Sequence, residues 1–213
     1  MEIQSNSLYL SKDEFFYSFK EQTKGTKNKV FIESGRGGHY SIAAWNPFVI
    51  VKSVEEGIHI TWQNGQTEFR NGESLALVEE LINKYKLEVD SSLPPFQGGA
   101  IGFIAYDYAR KIERLPQLAE DTLNVPDLYF YLFTEWAVHN VKTDEVTLMK
   151  LQQSVVDLTE WANEWGAAAT TGLHSRLFHA GKAVDVVNDE NELQISFSNE
   201  QFQQAVRRIQ EYI

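Results

Sequence analysis

Tyr40-Ser41-Ile42-Ala43-Ala44-Trp45-Asn46-Pro47-Phe48-Val49-Ile50-Val51 reads as two strands around a turn, and the extended reading continues as far as Phe69. Asn46-Pro47 is a turn pair, because proline fixes its own φ and pushes the residue before it out of the helical region. After the Glu55-Glu56-Gly57 turn, Ile58, Ile60 and Trp62 alternate with His59 and Thr61. That period of two marks a half-buried strand. Asn64-Gly65 predicts a type I′ hairpin with positive φ at both central residues, and Gln66 to Phe69 is the return strand.

Outward from this block, Val30-Phe31-Ile32 is a brief strand ending in Glu33-Ser34 and a Gly35-Arg36-Gly37-Gly38 loop. Ser11-Lys12-Asp13-Glu14 is a capping box, so a short helix follows that buries Phe15, Phe16 and Phe19. Downstream, Leu75, Val78, Leu81, Ile82 and Tyr85 fall on one helical stripe over 74–86. Gly98 to Tyr106 is nearly all apolar and predicts a strand buried on both faces. Leu128 to Val141 predicts one long aromatic strand, turned back at Thr143-Asp144 into Glu145 to Leu151. A helix around 154–165 presents Val155, Leu158, Trp161, Ala162 and Trp165.

At residue 166 the composition shifts to Gly, Ala, Thr, Asn and Asp, which predicts a mobile linker to 195. Ser198-Asn199-Glu200-Gln201 then caps a helix whose stripe is Phe202, Ala205, Val206, Ile209, Tyr212 and Ile213. The sequence stops on that stripe, and the expectation is a helix that has lost its packing partner.

Length and charge narrow the function. The 213 residues make one large domain or two small ones. Thirty Asp and Glu against 19 Lys and Arg give a formal charge of -11. Such a surface repels phosphate backbones and anionic lipid, so neither nucleic acid nor membrane is an expected partner. The absence of cysteine excludes disulfides, thiolate zinc and a cysteine nucleophile. No signal-peptide pattern and no apolar run of about 20 residues is present, so a cytoplasmic location is expected.

Two clusters invite chemistry. Glu33 and Ser34, with the strand Tyr40-Ser41-Ile42 across the glycine loop, offer a carboxylate, a hydroxyl and backbone groups that could clamp an amino acid's ammonium group. The same residues also suit a hairpin with polar strand-end caps. Gly98, Gly99 and Gly102 precede or sit within a strand, whereas nucleotide-loop glycines follow a strand and open a helix. They read as marks of a bulge or of close backbone packing. His39, His59, His139, His174 and His179 lack metal-ligand spacing and read as isolated surface or strand-end residues. Asp107 and Asp127 adjoin turns and read as caps.

Taken together, Phe31 to Ala43, Pro95 to Arg110, Pro126-Asp127 opening an aromatic strand, and Phe202 to Ile213 resemble the component I family of anthranilate and aminodeoxychorismate synthases. The resemblance implies an α+β fold of two packed antiparallel β-sheets, sandwich-like and flanked by helices. Residues 1–165 would form the N-terminal domain and 166–195 the linker, with 196–213 the first helix of a truncated C-terminal chorismate-binding domain. Glu33 to Ser41 looks closest to the aminodeoxychorismate branch, which implies amination of chorismate at C4 with glutamine-derived ammonia in p-aminobenzoate and folate synthesis. The alternatives are the anthranilate branch of tryptophan synthesis, or a non-catalytic tryptophan-binding or glutaminase-docking module.

The implied partners are a glutaminase subunit, the C-terminal domain, chorismate and tryptophan. The implied Mg²⁺ has its ligands beyond Ile213, as does the branch's nucleophilic lysine, so neither a catalytic nor a metal-binding residue is expected in this chain and it should be inactive alone. In the family's tryptophan pocket, Ser34 matches the motif's serine, while Tyr40, Ser41, Ile42 and Ala43 match its second strand. Glu33 stands beside them as the ammonium partner. Phe31 and Ile32 replace the usual leucines, and the loop is short and glycine-rich.

Overall fold

A computed structural model describes residues 2–35, 37–114, 123–179 and 198–212. The chain runs β1 (Ile3–Tyr9), α1 (Lys12–Gln22), β2 (Lys29–Ile32), β3 (Tyr40–Trp45), β4 (Val49–Val54), β5 (Gly57–Trp62), β6 (Thr67–Asn71) and α2 (Ser74–Lys84). It continues through β7 (Ala100–Ile104), a 3-10 turn (Tyr106–Tyr108), α3 (Ala109–Ile112), β8 (Leu128–Leu132), β9 (Glu135–Asn140) and β10 (Glu145–Leu151). Then follow α4 (Leu158–His179) and α5 (Asn199–Tyr212). These elements form two compact units, Met1–Leu177 and Phe178–Ile213.

The first unit is α+β, with two five-stranded antiparallel sheets ordered β1-β10-β9-β3-β2 and β6-β5-β4-β8-β7. Each core follows from strand alternation. On one face of the first sheet, Ala43, Ala137, Val146 and Leu148 pack with Phe15 and Phe19 of α1 and Trp161 and Trp165 of α4. Ser18 Oγ donates to the Trp165 carbonyl at 2.9 Å, tying the two helices together inside that core. The opposite face presents Ala44, Trp136, Val138 and Met149 to Ile101 and Tyr131 of the second sheet. The second sheet's other face buries Val49, Val51, Ile58, Ile60, Leu128 and Leu132 against Val78 and Leu81 of α2.

Helix starts are fixed by caps. Glu14 N–H donates to Ser11 Oγ, and Ser11 N–H donates to Glu14 Oε2 at 2.7 Å, which is the reciprocal box that the sequence predicts. Glu73 caps α2 by accepting from the N–H groups of Leu75 and Ala76. It also accepts from the hydroxyl of the buried Tyr108, so the 3-10 turn is pinned to the start of α2. Burial and this bond push the Tyr108 phenol up to about 12. In the second unit, Ser198 N–H donates to Gln201 Oε1 at 2.8 Å and Gln201 N–H to Ser198 Oγ at 3.2 Å, so the second box also forms.

Several expectations need correction. The run 128–141 is two strands in different sheets, broken at Phe133-Thr134, because the chain crosses there from one layer to the other. β7 is not buried on both faces; it is an edge strand with Phe103 43% and Ile104 50% exposed. The hairpin after β5 is not type I′, since Gly65 alone has positive φ (84°) and its N–H donates to the Trp62 carbonyl. That is a type I turn closed by a left-handed glycine, the usual three-residue solution. Phe16 and Leu75 are 44% and 38% exposed, at the margins of their helical stripes. The helix predicted at 154–165 starts at Leu158 and runs to His179, because Ala167-Ala168-Ala169 are strong helix formers. Residues 166–179 are therefore helical rather than linker, while 180–195 lie outside the described residues.

Candidate functional site

The candidate site is built on the β2–β3 hairpin. Its last register pair is Ile32 with Ile42, after which residues 33–39 form the connection. Gly38 N–H donates to the Gly35 carbonyl at 3.1 Å, and Val141 N–H to the His39 carbonyl at 3.0 Å, which holds the loop against the end of β9. Arg36 lies outside the described residues.

Ser34 and Ser41 come together: Ser34 N–H donates to Ser41 Oγ at 2.9 Å. Ser41 is 1% exposed, while Ser34 Oγ is buried with no hydrogen-bond partner among the described residues. A Cβ on Gly38 would sit 2.5 Å from that hydroxyl, so the glycine leaves room for it. Glu33 pairs with Lys12 of α1 at 2.5 Å, both side chains being more than half exposed.

The other candidates divide between two faces. Strand alternation puts Ser41 and Ala43 on the helix-facing side, where Ala43 joins the core under α1 and α4. Tyr40 and Ile42 are on the opposite side, where Ile42 packs against the core between the sheets and Tyr40 is 37% exposed. The six residues therefore surround one hairpin end on two faces of the sheet.

His139 lies at the end of a strand, as expected, next to the last residue of β9, but it is also fully buried, opposite Ser41 in register and stacked on Phe15 with centroids 5.1 Å apart. Burial holds its pKa below the ordinary value, with Asp144 opposing that shift. The available signal was register: His139 stands two residues after Ala137, so both share the helix-facing side. His59 is exposed, as its place on the wet face of β5 requires. Asp107 and Asp127 form ion pairs with Arg110 and Lys111 at 2.9 and 3.0 Å. Gly102 fits the packing reading, since a Cβ there would come within 2.0 Å of the Tyr129 carbonyl, whereas Gly98 and Gly99 have positive φ (119° and 97°) and a Cβ on Gly99 would meet nothing within 4 Å.

Among the described residues, no group of three or more His, Asp or Glu could hold a metal ion. The Mg²⁺ implied by the resemblance has no fitting ligand set among these residues. Also among the described residues, no helix is long and apolar enough to cross a membrane.

Comparison with known proteins puts this hairpin in a family context. The model of the chorismate binding enzyme family matches residues 27–213. Aminodeoxychorismate synthase component 1 of Bacillus subtilis (strain 168) is 32% identical over 210 residues, covering 95% of this chain and 42% of that protein. Anthranilate synthase component 1 of Acetivibrio thermocellus is 33% identical over 113 residues, covering 51% of this chain and 23% of that protein. The crystal structure of anthranilate synthase component I from Streptococcus pneumoniae TIGR4 aligns with a TM-score of 0.45 at 27% identity, covering 74% of this chain and 33% of that one. The chain spans less than half the length of these relatives. Since the family match begins at the β2–β3 hairpin and takes in every later element of both sheets, this chain belongs to the chorismate-binding enzymes.

Proposed function

We propose that these residues are the N-terminal part of an aminodeoxychorismate synthase component I. In this reading the whole enzyme aminates chorismate to 4-amino-4-deoxychorismate, with ammonia drawn from glutamine by a separate amidotransferase and with Mg²⁺ bound outside the described residues. The observation that carries it is the alignment with the Bacillus subtilis aminodeoxychorismate synthase component 1, which extends over 95% of this chain. The first unit is the N-terminal domain, and α5 is the first helix of the chorismate-binding domain. The location proposed is the cytoplasm.

The 213-residue chain alone is catalytically silent on this reading. With chorismate, ammonium and Mg²⁺ supplied, it should form neither 4-amino-4-deoxychorismate nor anthranilate. Turnover above a chain-free control would refute its silence, and product identification with the longer enzyme separates the two branches. Accumulation of anthranilate by that enzyme would replace the proposed reaction.

The hairpin end is proposed as an amino-acid site, with Glu33, Ser34, Tyr40, Ser41, Ile42 and Ala43 around it. The unpartnered, buried Ser34 hydroxyl supports this reading, because a buried polar atom is costly until something bonds to it. Calorimetric titration with tryptophan tests it, and an absence of heat at millimolar ligand would remove it.

A further inference from the structure

The face of the second sheet turned away from α2 carries one row of side chains that crosses all five strands. Register places Phe103 beside Tyr129, Tyr129 beside Lys52, Lys52 beside His59 and His59 beside Phe69. Directly opposed residues share a face, so the five side chains form one continuous band. The Phe103 ring stacks on Tyr129 at 6.1 Å, and His59 lies against Phe69 at 5.2 Å. Phe103 and Phe69 are 43% and 48% exposed, and Lys52 and His59 are exposed too.

The first sheet covers only a corner of this face, where Ile101 and Tyr131 enter the core between the layers. Register continues from Tyr131 to Ile50 and from Ile50 to Thr61, and these two line a groove of about 570 Å³ beside Trp62, Asn46 and Lys27.

The charge of this face runs against that of the chain. Its strand positions hold Lys52 and His59 and no carboxylate, and the groove adds Lys27, again without a carboxylate. The chain as a whole carries -11. A basic, aromatic face on an acidic protein offers two things together, apolar area to bury and cations to meet carboxylates.

We propose that this face docks an acidic protein segment whose carboxylates alternate with apolar side chains. The apolar groups would cover Phe103, Tyr129 and Phe69, and the carboxylates would reach Lys52 and Lys27, with the exposed His59 ring beside them. A second copy of the same face would set basic groups against basic groups. A nucleic-acid strand would meet the repulsion of the whole chain at every phosphate, whereas a short peptide brings few charges and places them locally.

The test uses the ¹⁵N-labelled 213-residue chain. It is titrated with an acetylated peptide alternating glutamate with leucine and phenylalanine, with the same peptide carrying lysine for glutamate, and with single-stranded oligo(dT). The expected result is amide shifts confined to 50–54, 57–61, 67–71, 100–103 and 128–131 with the glutamate peptide alone, weakening as salt is added. Lys52→Glu should weaken that binding about tenfold. The double variant Phe69→Ser, Phe103→Ser should lose it, while the dispersion of its amide spectrum shows that it folds. Each of the following overturns the proposal: no shift on this face, equal binding of the lysine peptide, oligo(dT) binding in place of peptide, self-association through the same amides, or undiminished affinity in Lys52→Glu.

Discussion

His139 Nε2 lies 3.6 Å from Asp144 Oδ1, beyond hydrogen-bond reach, although the imidazole is fully buried. Neither ring nitrogen has a hydrogen-bond partner among the described residues. The ring stands between Phe15 on α1 and Ser41 on β3, with Lys12 and Asp144 as the charged groups that act on it.

This placement predicts a loss of stability in mild acid. Burial lowers the imidazole's pKa from its ordinary 6.5, and Asp144 offsets only part of that. As pH falls, the unfolded chain therefore takes up the proton before the folded one does. The stabilisation is full above about 6.5 and is lost as pH falls from there through the lowered folded value. Urea midpoints measured from about pH 7.5 down to 5 should decline in the wild type and decline less in His139→Phe. Parallel curves would assign the acid sensitivity to other groups.

How much of this was legible in the sequence depends on how each strand is buried. β3, β4 and β5 could be read because each puts apolar side chains against a core at a period of two or in a continuous run. β1 could not. It is an edge strand of largely polar residues, Gln4, Ser5, Asn6 and Ser7, held by pairing with β10 rather than by its own apolar pattern. The break between β8 and β9 carries neither glycine nor proline, so only the need to change layers reveals it. At the candidate site, the nearness of Ser34 to Ser41 follows from hairpin closure and was visible. The division of Tyr40 and Ile42 from Ser41 and Ala43 depends on which face each core occupies, which motif spacing does not state.

Glycine positions should respond with opposite signs. Gly102→Ala drives a Cβ to 2.0 Å from the Tyr129 carbonyl and 2.7 Å from Phe130 Cα, and backbone cannot yield as a flexible side chain does. A loss of about 3 kcal/mol is expected, at the upper end for overpacking. Gly166→Ala is the counterpart, since its Cβ meets nothing within 4 Å and α4 gains a better helix former. It should add about 1 kcal/mol. Chemical denaturation of the two variants side by side checks both signs.

Glu73→Ala removes the α2 cap and the acceptor of the Tyr108 hydroxyl in one step. Loss of the cap alone costs about 1 kcal/mol. Stranding the buried phenol adds to this, so Glu73→Ala should exceed the cost of Tyr108→Phe, which leaves the cap in place. If the double variant equals the sum of the two single changes, the Glu73–Tyr108 bond contributes nothing to coupling α2 with the 3-10 turn.

At the hairpin end, Ser41→Ala and Gly38→Ala separate scaffold from site. Ser41→Ala leaves the Ser34 amide without its acceptor and should cost about 1 kcal/mol in urea unfolding. Gly38→Ala is different, because the atom its Cβ meets first is the end of a movable side chain, Ser34 Oγ. Rotation of that hydroxyl relieves the contact, so stability should stay within about 0.5 kcal/mol of wild type. Yet the hydroxyl proposed to meet an amino-acid ligand is turned away. Tryptophan titration of Gly38→Ala should then show binding lost from a chain that is as stable as before. Retained binding would mean that the ligand does not use Ser34, and a large drop in stability would mean that the loop cannot accommodate the methyl group at all.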